Sequence, residues 1–230
     1  MPCDHAAAAT AAGDTVRNDY ARAAVLRTGA AARAAKLPGP VRELHRNVLR
    51  WFVTTGRSPD VTELSALAMS AGVGRAAGVR QLAESDLVHL GPDGRVEVAY
   101  PFSGRSTGHS VLLPGEVRVQ AMCALDALGI PLMLGRDCVL TSSAAGTGQP
   151  IAVEYRNRRW RWDPATTVVV PARRAGHGSN ADRLCPSITF HADREAAVRH
   201  LASHPELTGM VADQATAVEL ARLSFGALLT

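Results

Sequence analysis

Hydrophobic residues in the first half of the chain recur at helical spacing. Between residues 41 and 52 apolar positions recur so that they share one face of a helix, and they are Val41, Leu44, Val48, Leu49 and Phe52. This pattern predicts an amphipathic helix. The segment from Asp60 to Glu63 has the sequence of a capping box and predicts the start of a second helix. A third helix is predicted over roughly residues 75–84.

The pattern changes to that of strands after the third helix. Leu87–Leu90 and Arg95–Tyr100 are short β-rich runs, and the turn sequence Gly91–Gly94 lies between them. Together they predict a β-hairpin. Three helices followed by a hairpin are typical of a winged-helix unit, which we place at residues 39–113.

The remainder of the chain, residues 114–230, mixes short strands with helices. Strands are predicted near 137–142, 151–155, 166–170 and 185–190, and helices near 193–203 and 215–229. This order predicts an α+β catalytic domain with a small mixed sheet. Residues 1–38 are rich in Ala and Arg and are interpreted as an N-terminal extension, partly helical.

Composition excludes some classes of function. The net charge is +4, which permits contact with nucleic acid without arguing for it, so a nucleic-acid partner is not expected. No apolar run is long enough for a membrane span, and the start lacks the pattern of a secretory signal. We therefore expect a reducing cytoplasm, in which the four cysteines are thiols rather than disulfides.

The most informative chemistry lies in the apolar run from Val119 to Gly135, where Asp126 is the only charged residue. If the run is helical, Cys123 and Asp126 lie three residues apart on one face. A buried carboxylate is costly unless it is paired or protonated, so a thiol beside it is a candidate reason for its presence. The alternatives stay open. Cys123 could be a packing residue, a nucleophile or a metal ligand, and Asp126 could bind backbone amides.

Other candidate residues are harder to place. Cys185 follows a Gly-rich loop some 60 residues later, and the sequence does not establish that it reaches Cys123. Cys138 lies in a predicted strand and is interpreted as structural. Cys3 and His5 are too few to close a metal site. His177 could contact a substrate, and the alternating run Tyr155–Trp162 is best explained as an exposed hairpin strand.

These residues resemble those of organomercurial (alkylmercury) lyases. The resemblance covers about 115–230 well and the winged helix more loosely. It includes the segment Met122–Leu128 with Pro131, then Thr147–Ile151, then Leu184–Cys185 with Phe190, and finally Leu207–Gly209. Many members carry a further cysteine, considered structural, at the position of Ala144.

The resemblance implies protonolysis of a carbon–mercury bond, which gives a hydrocarbon and Hg(II). Cys123 and Cys185 would be the two catalytic cysteines and Asp126 the catalytic aspartate. All three would contact mercury, which is substrate and product and not a cofactor. No cofactor is expected, and external thiols would be needed for turnover. Hg(II) would be handed to mercuric reductase or to low-molecular-weight thiols.

An alternative from another class is a winged-helix transcription factor that senses a soft metal through Cys123 and Cys185. It would require specific DNA binding. The predicted third helix offers few polar side chains for reading a groove, chiefly Arg75, Arg80 and Gln81. The enzyme hypothesis is favoured because it assigns a role to the buried acid Asp126, whereas a sensor would gain little from it.

Overall fold

The computed structural model describes residues 18–19, 21–176 and 178–230, so Cys3, His5 and His177 lie outside the described residues. Among the helices of this part of the chain, none has both the length and the apolar composition needed to span a membrane.

The first part of the described chain is helical. Residues 21–28 are helical. They are followed by α1 (Ala30–Ala34), α2 (Gly39–Thr55), α3 (Val61–Ser70) and α4 (Arg75–Glu84). The predicted capping box is confirmed, because the Asp60 carboxylate accepts from the Glu63 amide and the Glu63 carboxylate accepts from the Asp60 amide. The predicted bounds of the third helix, 75–84, are also confirmed.

Eight strands form one antiparallel sheet, which corrects the expectation of a small mixed sheet. In chain order they are β1 (Val88–Leu90), β2 (Val96–Ala99), β3 (Phe102–Ser103), β4 (Ser110–Leu112), β5 (Arg118–Ala121), β6 (Cys138–Ser143), β7 (Pro150–Arg156) and β8 (Arg159–Asp163). Their order across the sheet is β1-β2-β3-β5-β4-β6-β7-β8. Most connections are short, and short connections join antiparallel neighbours.

A second, three-stranded antiparallel sheet has the order β10-β9-β11. Its strands are β9 (Val168–Arg174), β10 (Ile188–His191) and β11 (Leu207–Gly209), and the remaining helices are α5 (Ala124–Leu134), α6 (Asn180–Arg183), α7 (Arg194–Ser203) and α8 (Gln214–Phe225). The interpretation of the run 155–162 as one exposed strand of a hairpin is corrected. The run instead contains the end of β7, the turn at Asn157 and Arg158, and most of β8, and both Tyr155 and Trp162 are buried.

Helix α5 lies at the centre of the fold, and residues Ala124–Pro131 are all buried. It packs closely on α8, where a Cβ added to Gly129 would lie 2.3 Å from the ring of Phe225. Glycine is therefore needed at this helix contact, because any larger side chain would push α8 away.

The helix around Cys123 differs from the sequence expectation, which placed Cys123 within the helix and the end of the helix near Gly129–Pro131. Cys123 is the N-cap and has extended backbone angles, and the helix begins at Ala124. It also continues through Pro131 to Leu134. A single proline removes one backbone donor, and the burial of the helix on all sides outweighs that loss. Gly135, with φ of 61°, ends the helix and donates to the Pro131 carbonyl.

The Ala-rich segment contributes to the core. Ala30, Ala34 and Leu37 are buried in the same apolar cluster as α2 and α5. That cluster extends across the predicted boundary at residue 113, and the division into 1–38, 39–113 and 114–230 stays a prediction.

Candidate active site

Cys123 and Asp126 lie at the start of helix α5. The chain leaves strand β5 at Ala121, and the Cys123 carbonyl accepts the first helical hydrogen bond, from the Ala127 amide at 2.9 Å. Asp126 is the third residue of the helix, so its side chain is directed back towards the N-cap. The predicted i, i+3 neighbourhood is confirmed, although Cys123 precedes the helix.

Cys185 comes from a different element. It begins a 3-10 turn, Cys185–Ser187, between α6 and β10. The sequence predicted that this residue starts a strand at an accessible loop edge. The structure corrects both points, since the strand begins at Ile188 and Cys185 is buried. Pro186 favours the turn, because its fixed φ is compatible with the first turn of a helix.

The structure brings the three predicted side chains together. One ligand atom from each of Cys123, Asp126 and Cys185 lies within 4.8 Å of the other two. The Cys123 thiol donates to Asp126 Oδ2 at 2.6 Å, and the Cys185 thiol points to the same oxygen at 3.8 Å. Their exposed fractions are 1%, 2% and 7% for Cys123, Asp126 and Cys185.

Burial controls the protonation of the site. It raises the pKa of Asp126 to about 7, and the two thiols and the charge of Arg33 offset this only partly. Burial also raises the pKa of Cys123 well above its ordinary value. The hydrogen bond with Cys123 lowers the pKa of Cys185, but burial and the Asp126 charge outweigh it and leave that pKa raised. The thiols are thus protonated at neutral pH, and the carboxyl can both accept and release a proton.

A pocket of about 280 Å³ opens onto the three residues. Its wall includes two polar residues that sequence reasoning missed, Arg33 and Tyr100. Arg33 belongs to the Ala-rich segment, and its charge lowers the pKa of Asp126. It lies 93 positions before Asp126, so only the tertiary packing of α1 reveals it. No local pattern in the sequence marks either residue.

Asp86 connects the hairpin to the loop before Cys185. Its carboxylate accepts from the Asn180 amide at 3.2 Å and contacts His89 Nε2 at 2.6 Å. Its carbonyl accepts from Arg33 at 2.9 Å. The segment that carries Cys185 is therefore held against residues from both earlier parts of the chain.

Cys138 lies outside this group. It is buried in β6, and its thiol points to the Arg136 carbonyl at 3.4 Å. The interpretation of Cys138 as structural agrees with this placement.

Comparison with known proteins points to one family. The family model described as alkylmercury lyase matches residues 102–226. An alkylmercury lyase of Streptomyces lividans is 30% identical over 172 residues, covering 68% of this chain and 79% of the relative's length. An alkylmercury lyase of Staphylococcus epidermidis is 31% identical over 120 residues, covering 52% of this chain and 55% of the relative.

The fold is similar to that of a solved structure. The crystal structure of the mercury-bound form of MerB2 superposes with a TM-score of 0.71 and 22% sequence identity, covering 94% of this chain and 100% of that one. The likeness extends over nearly all of the chain.

Proposed function

The chain belongs to the alkylmercury lyase family, and we propose that Cys123, Asp126 and Cys185 are the residues with which it cleaves the carbon–mercury bond of an organomercurial. The enzyme's activity is protonolysis, which gives a hydrocarbon and Hg(II). The observation that carries the assignment of residues is that one ligand atom from each of the three lies within 4.8 Å of the others.

Two thiols are the right ligands for this substrate. Thiolate is a soft ligand and binds large, polarisable ions in preference to hard ones. Metal–thiolate bonds are about 2.3 Å long for zinc, so two sulfurs less than 4.8 Å apart can bind one ion. Cys123 attacks mercury first, and Cys185 completes the dithiolate.

Asp126 moves the proton. Its Oδ2 faces both thiols, and its Oδ1 is buried with no hydrogen-bond partner in the described part of the chain. Oδ2 can therefore take a thiol proton while Oδ1 remains open to the substrate carbon. A carboxyl with a pKa of about 7 is suited to both roles at neutral pH.

The atoms balance without a redox step. The substrate enters as an organomercury thiolate, and two Hg–S bonds to Cys123 and Cys185 form while the Hg–thiolate and Hg–C bonds break. One cysteine proton leaves with the displaced thiol, and the other reaches carbon through Asp126. Electron density pushed from the two sulfurs towards carbon makes that carbon basic enough to accept it.

Turnover needs a route for Hg(II) out of the site. No cofactor takes part in the steps above, and external thiols exchange with Cys123 and Cys185 to release the ion. The recipients are low-molecular-weight thiols or mercuric reductase. The compartment is a reducing cytoplasm, a proposal supported by the free thiols Cys123, Cys138 and Cys185.

The helices α2–α4 and the hairpin β1–β2 constitute the proposed winged-helix unit. The order of elements supports this, and so does the antiparallel pairing of β1 with β2. Its role is to support the site, since Asp86, between α4 and β1, binds the segment that leads to Cys185. A soft-metal sensor would have no use for an acid between the thiols.

The test is a cleavage assay on the purified protein. With excess thiol and phenylmercury as substrate, we expect benzene in the headspace and Hg(II) in the thiol pool in equal amounts. Failure to release benzene across the neutral and mildly alkaline range would refute the enzyme assignment. If Cys185→Ser kept full activity, the two-thiolate mechanism would be wrong even though the enzyme remained a lyase.

A further inference from the structure

Two buried donors in the pocket wall are not used by the chemistry of mercury. Arg33 Nε and the Tyr100 hydroxyl are both buried, and neither has a hydrogen-bond partner in the part of the chain that the structure describes. Tyr100 is almost wholly enclosed. Buried polar groups are normally paired, so two unpaired donors in the wall of one cavity indicate an acceptor that enters from outside.

Arg33 is held in place by backbone carbonyls. One terminal nitrogen donates to the Thr28 carbonyl and the other to the Asp86 carbonyl, and the guanidinium lies 5.8 Å from the centre of the Tyr100 ring. Each terminal nitrogen therefore uses one of its two N–H groups, and Nε has no hydrogen-bond partner among the described residues. Arg33 forms no ion pair with a carboxylate in the described part of the chain, although the charges of Asp86 and Asp126 partly offset the lowering of its pKa by burial. Its positive charge is therefore available to an anion in the pocket.

The rest of the pocket suits a ring or a short alkyl chain. Apolar side chains line much of it, namely Val25, Leu125, Leu184, Ile188 and Phe225. Its volume is about 280 Å³. An engineered cavity of about 150 Å³ binds benzene, so this pocket has room for an aromatic ring and one small substituent.

We propose that the pocket selects organomercurials whose organic group carries a carboxylate, and that Arg33 and Tyr100 bind that carboxylate. The inference rests on the proposed function, because it assumes that mercury is bound at Cys123 and Cys185. A carboxylate accepts several hydrogen bonds at once and carries the charge that complements a guanidinium. Arg33 and Tyr100 are thus specificity-determining residues and take no part in bond cleavage.

The first test compares substrates of equal size on the wild-type protein. They are para- and meta-carboxyphenylmercury and the corresponding uncharged tolylmercury compounds, all with excess thiol. We expect kcat/KM for one carboxylated isomer to exceed that of its tolyl counterpart by about tenfold or more, mainly through KM, since hydrogen bonds to charged groups are the strong ones. Equal values, or a preference for tolyl with both isomers, would overturn the proposal.

The second test uses Arg33→Met and Tyr100→Phe. We expect Arg33→Met to abolish the preference for carboxylate and Tyr100→Phe to reduce it severalfold, each measured as the ratio of kcat/KM for carboxyphenylmercury to that for tolylmercury. Arg42→Met is the matched control. Arg42 also donates to a backbone carbonyl and also has a buried, unpartnered Nε, but it does not line the pocket. If Arg33→Met lowers kcat/KM equally for both substrates, Arg33 stabilises the fold of the site and does not bind the carboxylate of the substrate.

A third measurement is independent of cleavage and of variant folding. Benzoate should bind the wild-type protein more tightly than benzamide, as measured by calorimetry, and should compete with tolylmercury. If the wild type cleaves no organomercurial and still prefers benzoate, the proposed function fails and the anion site stands. If cleavage proceeds and benzoate binds no better than benzamide, the anion site fails and the lyase stands. Equal binding of benzoate and benzamide is also expected if Arg33 and Tyr100 bind only a water molecule.

Discussion

Two of the buried free thiols, Cys123 at the start of helix α5 and Cys138 in strand β6, lie in different surroundings. Burial raises the pKa of both, that of Cys138 to about 12. They differ in their neighbours, since Cys123 faces a carboxyl and a second thiol whereas Cys138 faces a backbone carbonyl. Burial alone therefore makes an inert cysteine, and an adjacent proton acceptor makes a candidate nucleophile.

The largest effect should come from removing a sulfur. We expect Cys123→Ser to lower kcat/KM by at least about 10³-fold, because a hydroxyl does not bind a soft metal and the nucleophile is lost. Cys138→Ser is the matched control, with activity within a few-fold of wild type. The measurement is hydrocarbon release under excess thiol. Comparable losses in the two variants would remove the distinction between the regions.

Replacing the carboxyl should leave a site with two thiols and no proton carrier. Asp126→Asn is expected to lower the rate by about 10²-fold or more, the usual cost of losing a general acid. Binding of Hg(II) should remain, because both sulfurs are kept, and can be followed by the ultraviolet absorption of the mercury–thiolate bonds. Loss of Hg(II) binding in this variant would assign Asp126 to coordination and not to proton transfer.

The close contact beneath the site gives a smaller effect. In Gly129→Ala the new Cβ would lie 2.3 Å from the Phe225 ring, which has to move. We expect a loss of about 1–3 kcal/mol in the free energy of unfolding, as for overpacked cores. Gly39→Ala is the control, since a Cβ there meets nothing within 4 Å. The two are compared by urea denaturation, and equal midpoints would show that α8 adjusts freely.

The buried residue His45 is expected to make the stability of the fold depend on pH. His45, in α2, is fully buried, and neither ring nitrogen has a hydrogen-bond partner among the described residues. Burial lowers its pKa from 6.5 to about 3, with smaller contributions from Arg33 and Arg46.

Between pH 6.5 and about 3, His45 is therefore protonated in the unfolded chain and neutral in the folded chain. The free energy of unfolding is therefore unaffected by the protonation of His45 above pH 6.5. As the pH falls below 6.5, this free energy decreases by up to about 1.4 kcal/mol per pH unit. His45→Leu should flatten the dependence of the urea midpoint on pH in this range. An unchanged slope in His45→Leu would assign the acid sensitivity to other groups, of which His109 and His191 also have lowered pKa values.

The sequence predicted the local features well. The Asp60 capping box, the 75–84 helix and the Cys123–Asp126 pair each depend on residues a few positions apart, and each is present in the structure. The large sheet was missed because β3 and β4 have only two and three residues, too few to show alternation. Cys185 could be linked to Cys123 only through the family resemblance. Arg33 and Tyr100 could not be found, because their position depends on packing between distant segments.

The enclosure of the two sulfurs has a consequence for survival of the enzyme. Peroxide and oxygen attack the exposed thiolate far faster than the buried thiol, so Cys123 and Cys185 in their resting, protonated state resist oxidation. A soft metal can displace the thiol protons, whereas an oxidant reacts mainly with thiolate, of which the resting site contains little. The same burial that makes the acid and the thiols costly to fold thus keeps them chemically intact until mercury arrives.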